Sequence, residues 1–154
     1  IVLIDQLTKK WAQTSVRGFP SRSYWGDFFR LEYAENSGAF LSLGAALSQE
    51  TRFWIFVVAV AVFLGFALFY LYRDSKLDHW SSFALAMISS GGIGNLIDRV
   101  TRENHGVVDF LNIGIGSLRT GIFNVADMAI MAGVFVLAAK SFKKAPEEKA
   151  ADIK

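Results

Sequence analysis

Residues 53 to 72, FWIFVVAVAVFLGFALFYLY, run for 20 positions without one charged side chain. At about 1.5 Å per residue, a helix of that length crosses a hydrocarbon core of roughly 30 Å. A helix in a soluble core would keep one polar face, and this run has none. The segment belongs in lipid, and the rest of the chain has to be compatible with that placement.

Three further stretches are compatible. Residues 80 to 97, WSSFALAMISSGGIGNLI, form 18 uncharged positions softened by four serines, three glycines and Asn95. Small residues let membrane helices approach closely, which predicts a span packed inside a bundle, with Ser90 and Gly94 as a small-xxx-small contact. Residues 121 to 140, GIFNVADMAIMAGVFVLAAK, are apolar except for Asn124 and Asp127 near their start. The opening IVLI, followed at once by DQLTKKW, reads as the last turns of an apolar helix cut short at its beginning. With 53% hydrophobic residues, the expected fold is a mainly α membrane protein in a single domain over 1–154. Four transmembrane helices are expected at about 1–13 (truncated), 53–72, 80–99 and 121–140, joined by extramembrane loops 14–52 and 100–120, with a charged tail over 141–154.

Four crossings fix which polar residues share a side. The end of the first span, both long loops, the end of the third span and the start of the fourth all lie together. That side collects Asp5, Lys9, Asn36, Asn95, Asp98, Arg99, Asp109, Asn124 and Asp127. The other side receives only RDSKLDH and the tail. Lysines and arginines divide 7 to the short-loop and tail side and 9 to the other, so charge counting does not orient the chain. The cluster Lys140, Lys143 and Lys144, directly after a span, favours a cytoplasmic tail at an anionic inner leaflet. A formal net charge of +2 gives no reason to invoke nucleic acid.

The two loops carry strand patterns. In FFRLEYAE, residues 28 to 35, Leu31 and Tyr33 alternate with Arg30 and Glu32, the period of a strand with one wet face. GVVDFLNIGIG, residues 106 to 116, is rich in β-branched residues and ends in glycines. A small extramembrane β-sheet on the polar side of the bilayer accounts for both.

Helical spacing gathers the polar residues into stripes. Asn95, Asp98 and Arg99 stand at i, i+3 and i+4, Asn124 and Asp127 at i and i+3, and Asp5 and Lys9 at i and i+4, acid before base. Each group has a plain structural reading. Asp5 with Lys9 is a snorkelling pair, and Asp98 with Arg99 an interfacial anchor. Asn124 and Asp127 are helix caps, and Asp109 is a loop carboxylate. His79 and His105 have no ligand-spaced neighbours and read as interfacial residues; Trp11, Trp25, Trp54 and Trp80 read as belt residues. What these readings leave unexplained is the convergence. An ionisable group at membrane depth costs roughly 2.5 to 3.5 kcal/mol on insertion scales, so a cluster indicates a transport path or a catalytic site.

Five motifs, DQLTK (5–9), NSGAF (36–40), GGIGNLIDR (91–99), VVDF (107–110) and FNVAD (123–127), occur in the order found in bacterial lipoprotein signal peptidases, which the chain resembles from residue 1 to about 140. The resemblance implies a four-span aspartyl peptidase of the bacterial inner membrane, acting at its periplasmic face. Such enzymes remove the signal peptide from prolipoproteins, cutting before a cysteine that already carries diacylglycerol. Carried over by motif, Asp109 and Asp127 are the catalytic pair and Asp98 is supporting.

The residues present suit that chemistry. The chain contains no cysteine, hence no thiol nucleophile and no thiolate zinc site. Two close carboxylates share one proton and need neither cofactor nor metal. As supporting groups, Asn124 would bond a catalytic carboxylate or the substrate, and Asn36 and Arg99 would hold the substrate main chain. Asn95 and Gly94 belong to the same site, Asp98 would orient Arg99, and Asp5 with Lys9 would tie the first span to the sheet. Expected partners are diacylglyceryl-prolipoproteins and membrane lipids, with the protein a monomer. The alternatives are a small transporter, a Ser-Lys peptidase using Lys9 with Ser89 or Ser90, and a non-enzymatic membrane assembly factor.

Overall fold

Ser48 caps the long apolar helix five residues before the uncharged run begins, its side-chain oxygen accepting the Thr51 N–H at 3.2 Å. From there the chain is helical over Gln49–Arg73, 25 residues in all. It comprises α2 (Gln49–Phe53), a π-helical stretch Trp54–Ala59 and α3 (Val60–Arg73). In the computed structural model, residues 1–38, 44–74 and 76–151 are described, with side chains described as far as residue 142. Ala39 and Phe40 of the expected NSGAF motif, and the side chains of Lys143 and Lys144, lie outside the described residues.

Three other helices complete the bundle: α4 (His79–Thr101) packs against it, and α1 (Val2–Ser15) and α5 (Val125–Ala151) pack on α4 and on each other. Among the described residues two helices are long and apolar enough to cross a membrane, Gln49–Arg73 and Val125–Phe142. Their outer surfaces fit lipid, with Phe63, Phe66, Phe69 and Phe135 all exposed. At the end remote from the sheet, Asp78 caps α4, accepting from the Trp80 and Ser81 N–H groups and from Lys140 of α5. The Lys140 and Ser81 donors hold the Asp78 carboxyl below the usual carboxylate range.

Helices α4 and α5 approach closely because glycine lines their contact. A Cβ at Gly91 would stand 2.4 Å from the Ala126 carbonyl oxygen, and one at Gly94 3.3 Å from the Ala126 Cβ and 2.6 Å from the Asp5 carboxylate of α1. The small-residue contact therefore falls on Gly91 and Gly94. Ser90 turns its hydroxyl back to the Met87 carbonyl of its own helix, at 3.1 Å.

Both expected strands form. β1 (Arg22–Tyr24), β2 (Phe29–Asn36), β3 (Val107–Ile115) and β4 (Leu118–Arg119) make one antiparallel sheet in chain order. Every residue of β2 is half-buried, so the alternation in its sequence does not produce one wet face. A register shift between Leu31 and Ala34 bends the strand midway. Arg17 stacks over Tyr33, and Asn104 bonds Glu35, so the outward positions are covered as well. Ala12 and Val16 of α1 pack into Val108 and Phe110 of β3. The first helix thus runs out of the bundle into the sheet and fixes β3 over the helix ends.

Candidate active site

Helix α5 begins at Val125, not at residue 121 where the apolar run starts. The reason is β3: Phe123 donates to and accepts from Leu111, at 2.8 and 2.9 Å, as a bridge. Residues before 124 are therefore committed to the sheet, and this brings the strand carrying Asp109 against the first turn of α5. The Asn124 carbonyl accepts from Met128 N–H at 3.2 Å, which makes it the N-cap. Its side-chain oxygen accepts from Asp127 N–H at 2.9 Å, and the Asp127 carboxylate accepts from Asn124 N–H at 3.1 Å. This reciprocal capping box realises the capping reading of the two residues and fixes the Asp127 rotamer with it.

The other half of the Asn124 carboxamide faces the second aspartate. Its Nδ2 donates to Asp109 Oδ1 at 2.7 Å, to the Val108 carbonyl at 3.2 Å and to Asn95 Oδ1 at 3.2 Å. One asparagine, fully buried, touches both carboxylates. Asn95 completes the network by donating Nδ2 to Asp127 Oδ1 at 2.8 Å. Asp109 is buried on β3 opposite Ala34. Burial, reinforced by the charge of Asp127, pushes its carboxyl up to about 7, against hydrogen bonds from Asn124 and Asn36 and the charge of Lys9 that pull it down.

Asp5 and Lys9 are not a snorkelling pair, since they are 0% and 2% exposed. Lys9 Nζ meets Asp5 at 2.9 Å, Asp98 at 3.4 Å and Asn95 Oδ1 at 2.9 Å. Asp5 also accepts from Ala126 N–H at 2.9 Å. The pair ties α1 to α4 and α5; the sheet is reached through the apolar end of α1 instead. Asp98 does not orient Arg99. It accepts from Val108 N–H at 2.9 Å and Gln6 Nε2 at 3.2 Å, with Arg102 Nε at 3.7 Å, so it joins α4 to β3 and α1.

Arg99 is held from two loops and a ring. It donates to the His105 carbonyl at 2.9 Å and to the Gly38 carbonyl, and its guanidinium lies 5.0 Å from the Phe56 ring centroid. Asn36 Oδ1 accepts from Gly38 N–H at 3.0 Å, and Asn36 also bonds Asp109. These side chains open onto one cleft of about 290 Å³. Asp109, Asp127, Asn36, Asn95 and Arg99 form its polar floor; Phe56, Val60, Ile130 and Met131 form an apolar wall. Gly94 lies beneath this floor, against Asp5 and Ala126.

Two residues in this constellation escaped sequence reasoning. Gln6 lies inside the DQLTK motif and bonds Gly94 O at 3.0 Å as well as Asp98; its place one residue after Asp5 was the available signal. Phe56 gave none, because its approach to Arg99 depends on the π-helical stretch that contains it. Among the described residues no three His, Cys, Asp or Glu side chains converge as metal ligands. The Ser-Lys alternative has no geometry: Lys9 is committed to carboxylates and Asn95, and Ser89 Oγ is buried without a hydrogen-bond partner.

An apolar bundle capped by a small antiparallel sheet, with buried polar groups at their junction, defines a membrane enzyme fold. A bacterial membrane enzyme solved by the in meso method at 2.3 Å superposes with a TM-score of 0.79 at 26% identity, covering 94% of this chain and 84% of that one. A second, solved at 1.9 Å, gives 0.75 at 26% identity, over 92% and 87%. The pattern of signal peptidase (SPase) II matches residues 1–143, and the chain belongs to that peptidase family. The lipoprotein signal peptidase of Streptococcus pyogenes serotype M2 is 33% identical over 137 residues, 89% of this chain and 84% of its own length. That of Psychromonas ingrahamii is 32% identical over 142 residues, 92% and 80%.

Proposed function

We propose that this peptidase is an aspartyl endopeptidase that removes the signal peptide from diacylglyceryl-modified prolipoproteins, cutting before the lipidated cysteine. The observation that carries the reading is the Asn124 bridge between Asp109 and Asp127 on the floor of a cleft with an apolar wall. One aspartate, as carboxylate, takes a proton from water while the water oxygen attacks the scissile carbonyl. The other, protonated, donates to the carbonyl oxygen. The tetrahedral intermediate then collapses, the C–N bond breaks, and a proton passes to the leaving amine. The pair titrates as a unit. No step calls for a cofactor or metal.

The same reading takes α1 and α4 as the second pair of membrane spans, giving four in one domain. In its support, α4 has 23 residues, about 35 Å of helix, and Leu3, Ile4 and Leu7 are exposed on α1. The bundle would sit in the bacterial inner membrane as a monomer among lipids. The sheet and cleft would face the periplasm, where a lipid-anchored substrate presents its peptide bond, and the tail would face the cytoplasm.

The test is cleavage of a synthetic diacylglyceryl prolipoprotein by the detergent-purified protein, beside Asp109→Asn and Asp127→Asn and with a chelator present. Both variants should fold, bind substrate and lose cleavage, and the chelator should change nothing. Turnover surviving in either variant would mean that the wrong carboxylates have been chosen; sensitivity to the chelator would remove the metal-free mechanism.

A further inference from the structure

The two aspartates have different supports. Asp127 stands on a polar chain that begins at a buried cation: Lys9 Nζ donates to Asn95 Oδ1 at 2.9 Å, and Asn95 Nδ2 donates to Asp127 Oδ1 at 2.8 Å. The other Asp127 oxygen accepts the Asn124 backbone N–H at the first turn of α5. Both oxygens therefore meet N–H donors, and one of those donors is polarised by a lysine that is 2% exposed. Asp109 sits on a strand, with carboxamides as its hydrogen-bond partners. It meets the start of α5 through the Asn124 carboxamide, whereas Asp127 takes that residue's backbone N–H.

We infer, on the aspartyl reading above, that Lys9 is a positioning residue: acting through Asn95, it holds Asp127 as the carboxylate that activates water and leaves the shared proton on Asp109. The assignment follows from hydrogen-bond polarity. A carboxylate is stabilised by N–H donors on both oxygens and by the free N–H groups of a helix start. An uncharged carboxyl tolerates the drier strand. In the first step Asp127 takes the proton of water as the water oxygen bonds to the scissile carbon, and Asp109 gives its proton to the carbonyl oxygen. Atoms and charge balance without a further reactant.

The charges around the pair agree. From α1, Lys9 is accompanied by Asp5, which it neutralises at 2.9 Å. From α4 come Asp98, shared between Lys9 and Arg102, and Arg99, which the charges of both Asp109 and Asp127 reach. Arg52 of α2 acts on Arg99. Of these groups only Lys9 is joined to one aspartate by a single intervening side chain.

The experiment is the pH dependence of kcat and KM on the lipidated substrate for the parent, Lys9→Met and Asn95→Ser. Removing the cation or its relay takes the polarised donor away from Asp127 Oδ1. The acid limb of the kcat profile should move to higher pH by about one unit in both variants, with KM unchanged. Lys9→Met strands Asp5 and Asp98 and is prone to misfold. Asn95→Ser leaves all the Lys9 ion pairs in place, so its profile decides the matter alone. A uniform fall in kcat with an unmoved acid limb would overturn the relay and make Lys9 a scaffold residue. The aspartyl reading fails separately, through retained turnover in Asp109→Asn or Asp127→Asn.

Discussion

Asn124 and Asp127 exchange two hydrogen bonds, backbone to side chain in each direction, and so close the first turn of α5 with a carboxylate that also faces the cleft. Capping the helix and placing the Asp127 carboxylate at the cleft are one interaction here. Two substitutions separate them. Asn124→Ala removes both the cap and the bridge, and should cost about 1 kcal/mol of stability together with most of the activity. Asn124→Ser restores the cap, yet its hydroxyl is too short to reach Asp109. Thermal melts beside cleavage rates should show stability recovered and turnover still reduced at least tenfold.

Asp109 titrates late. With its folded-state value raised from 3.8 to about 7, the folded protein binds more protons than the unfolded chain between those limits. Stability attributable to this group therefore falls as pH rises through that window, by at most on the order of 4 kcal/mol at its upper end. Asp109→Asn, which stays neutral, should melt higher than the parent at pH 8 and equal to it at pH 4, while remaining inactive. Melting curves at the two pH values, with identical shifts at both, would remove the burial argument.

Arg99 bridges two loop carbonyls beneath the Phe56 ring. Lysine keeps the charge but loses the planar fork that reaches both oxygens. Arg99→Lys should fold and should lower kcat/KM at least tenfold. The check is steady-state kinetics; parental kinetics would show that the charge alone suffices.

Gly91 and Gly65 make a matched pair. A methyl at Gly91 would meet the Ala126 carbonyl oxygen, whereas one at Gly65 meets nothing within 4 Å. Gly91→Ala should force α4 from α5, destabilising by about 1 to 3 kcal/mol and disturbing the active site through Ala126. Gly65→Ala should be neutral or stabilising by up to about 1 kcal/mol. Melts of the two variants in the same detergent give the contrast.

Much of this arrangement was legible in the chain itself, and the failures have physical causes. The β-branched run gave β3, and alternation gave β2, because each pattern is local. β1 and β4, of three and two residues, are too short to carry a period. The start of α5 was misplaced because hydropathy does not record that Phe123 pairs with Leu111. The stripe of Asn95, Asp98 and Arg99 was read as one face, yet its members serve three different neighbours: Asp127, Val108 and the 38 and 105 loops. Spacing locates side chains on a helix, and only packing selects their partners. Asp109 and Asp127 came from motif resemblance, since nothing in their spacing brings them together.

The hydrogen bond from Ala126 N–H to Asp5 joins α1 to α5, across 121 positions. Translation delivers α1 before α5. Until the final helix is made and inserted, Asp127 has neither Asn95 nor a capped first turn, and Asp109 has no Asn124. On the aspartyl reading, a nascent copy therefore lacks its reactive pair until α5 has packed onto α1 and α4, and hydrolysis waits on that closure.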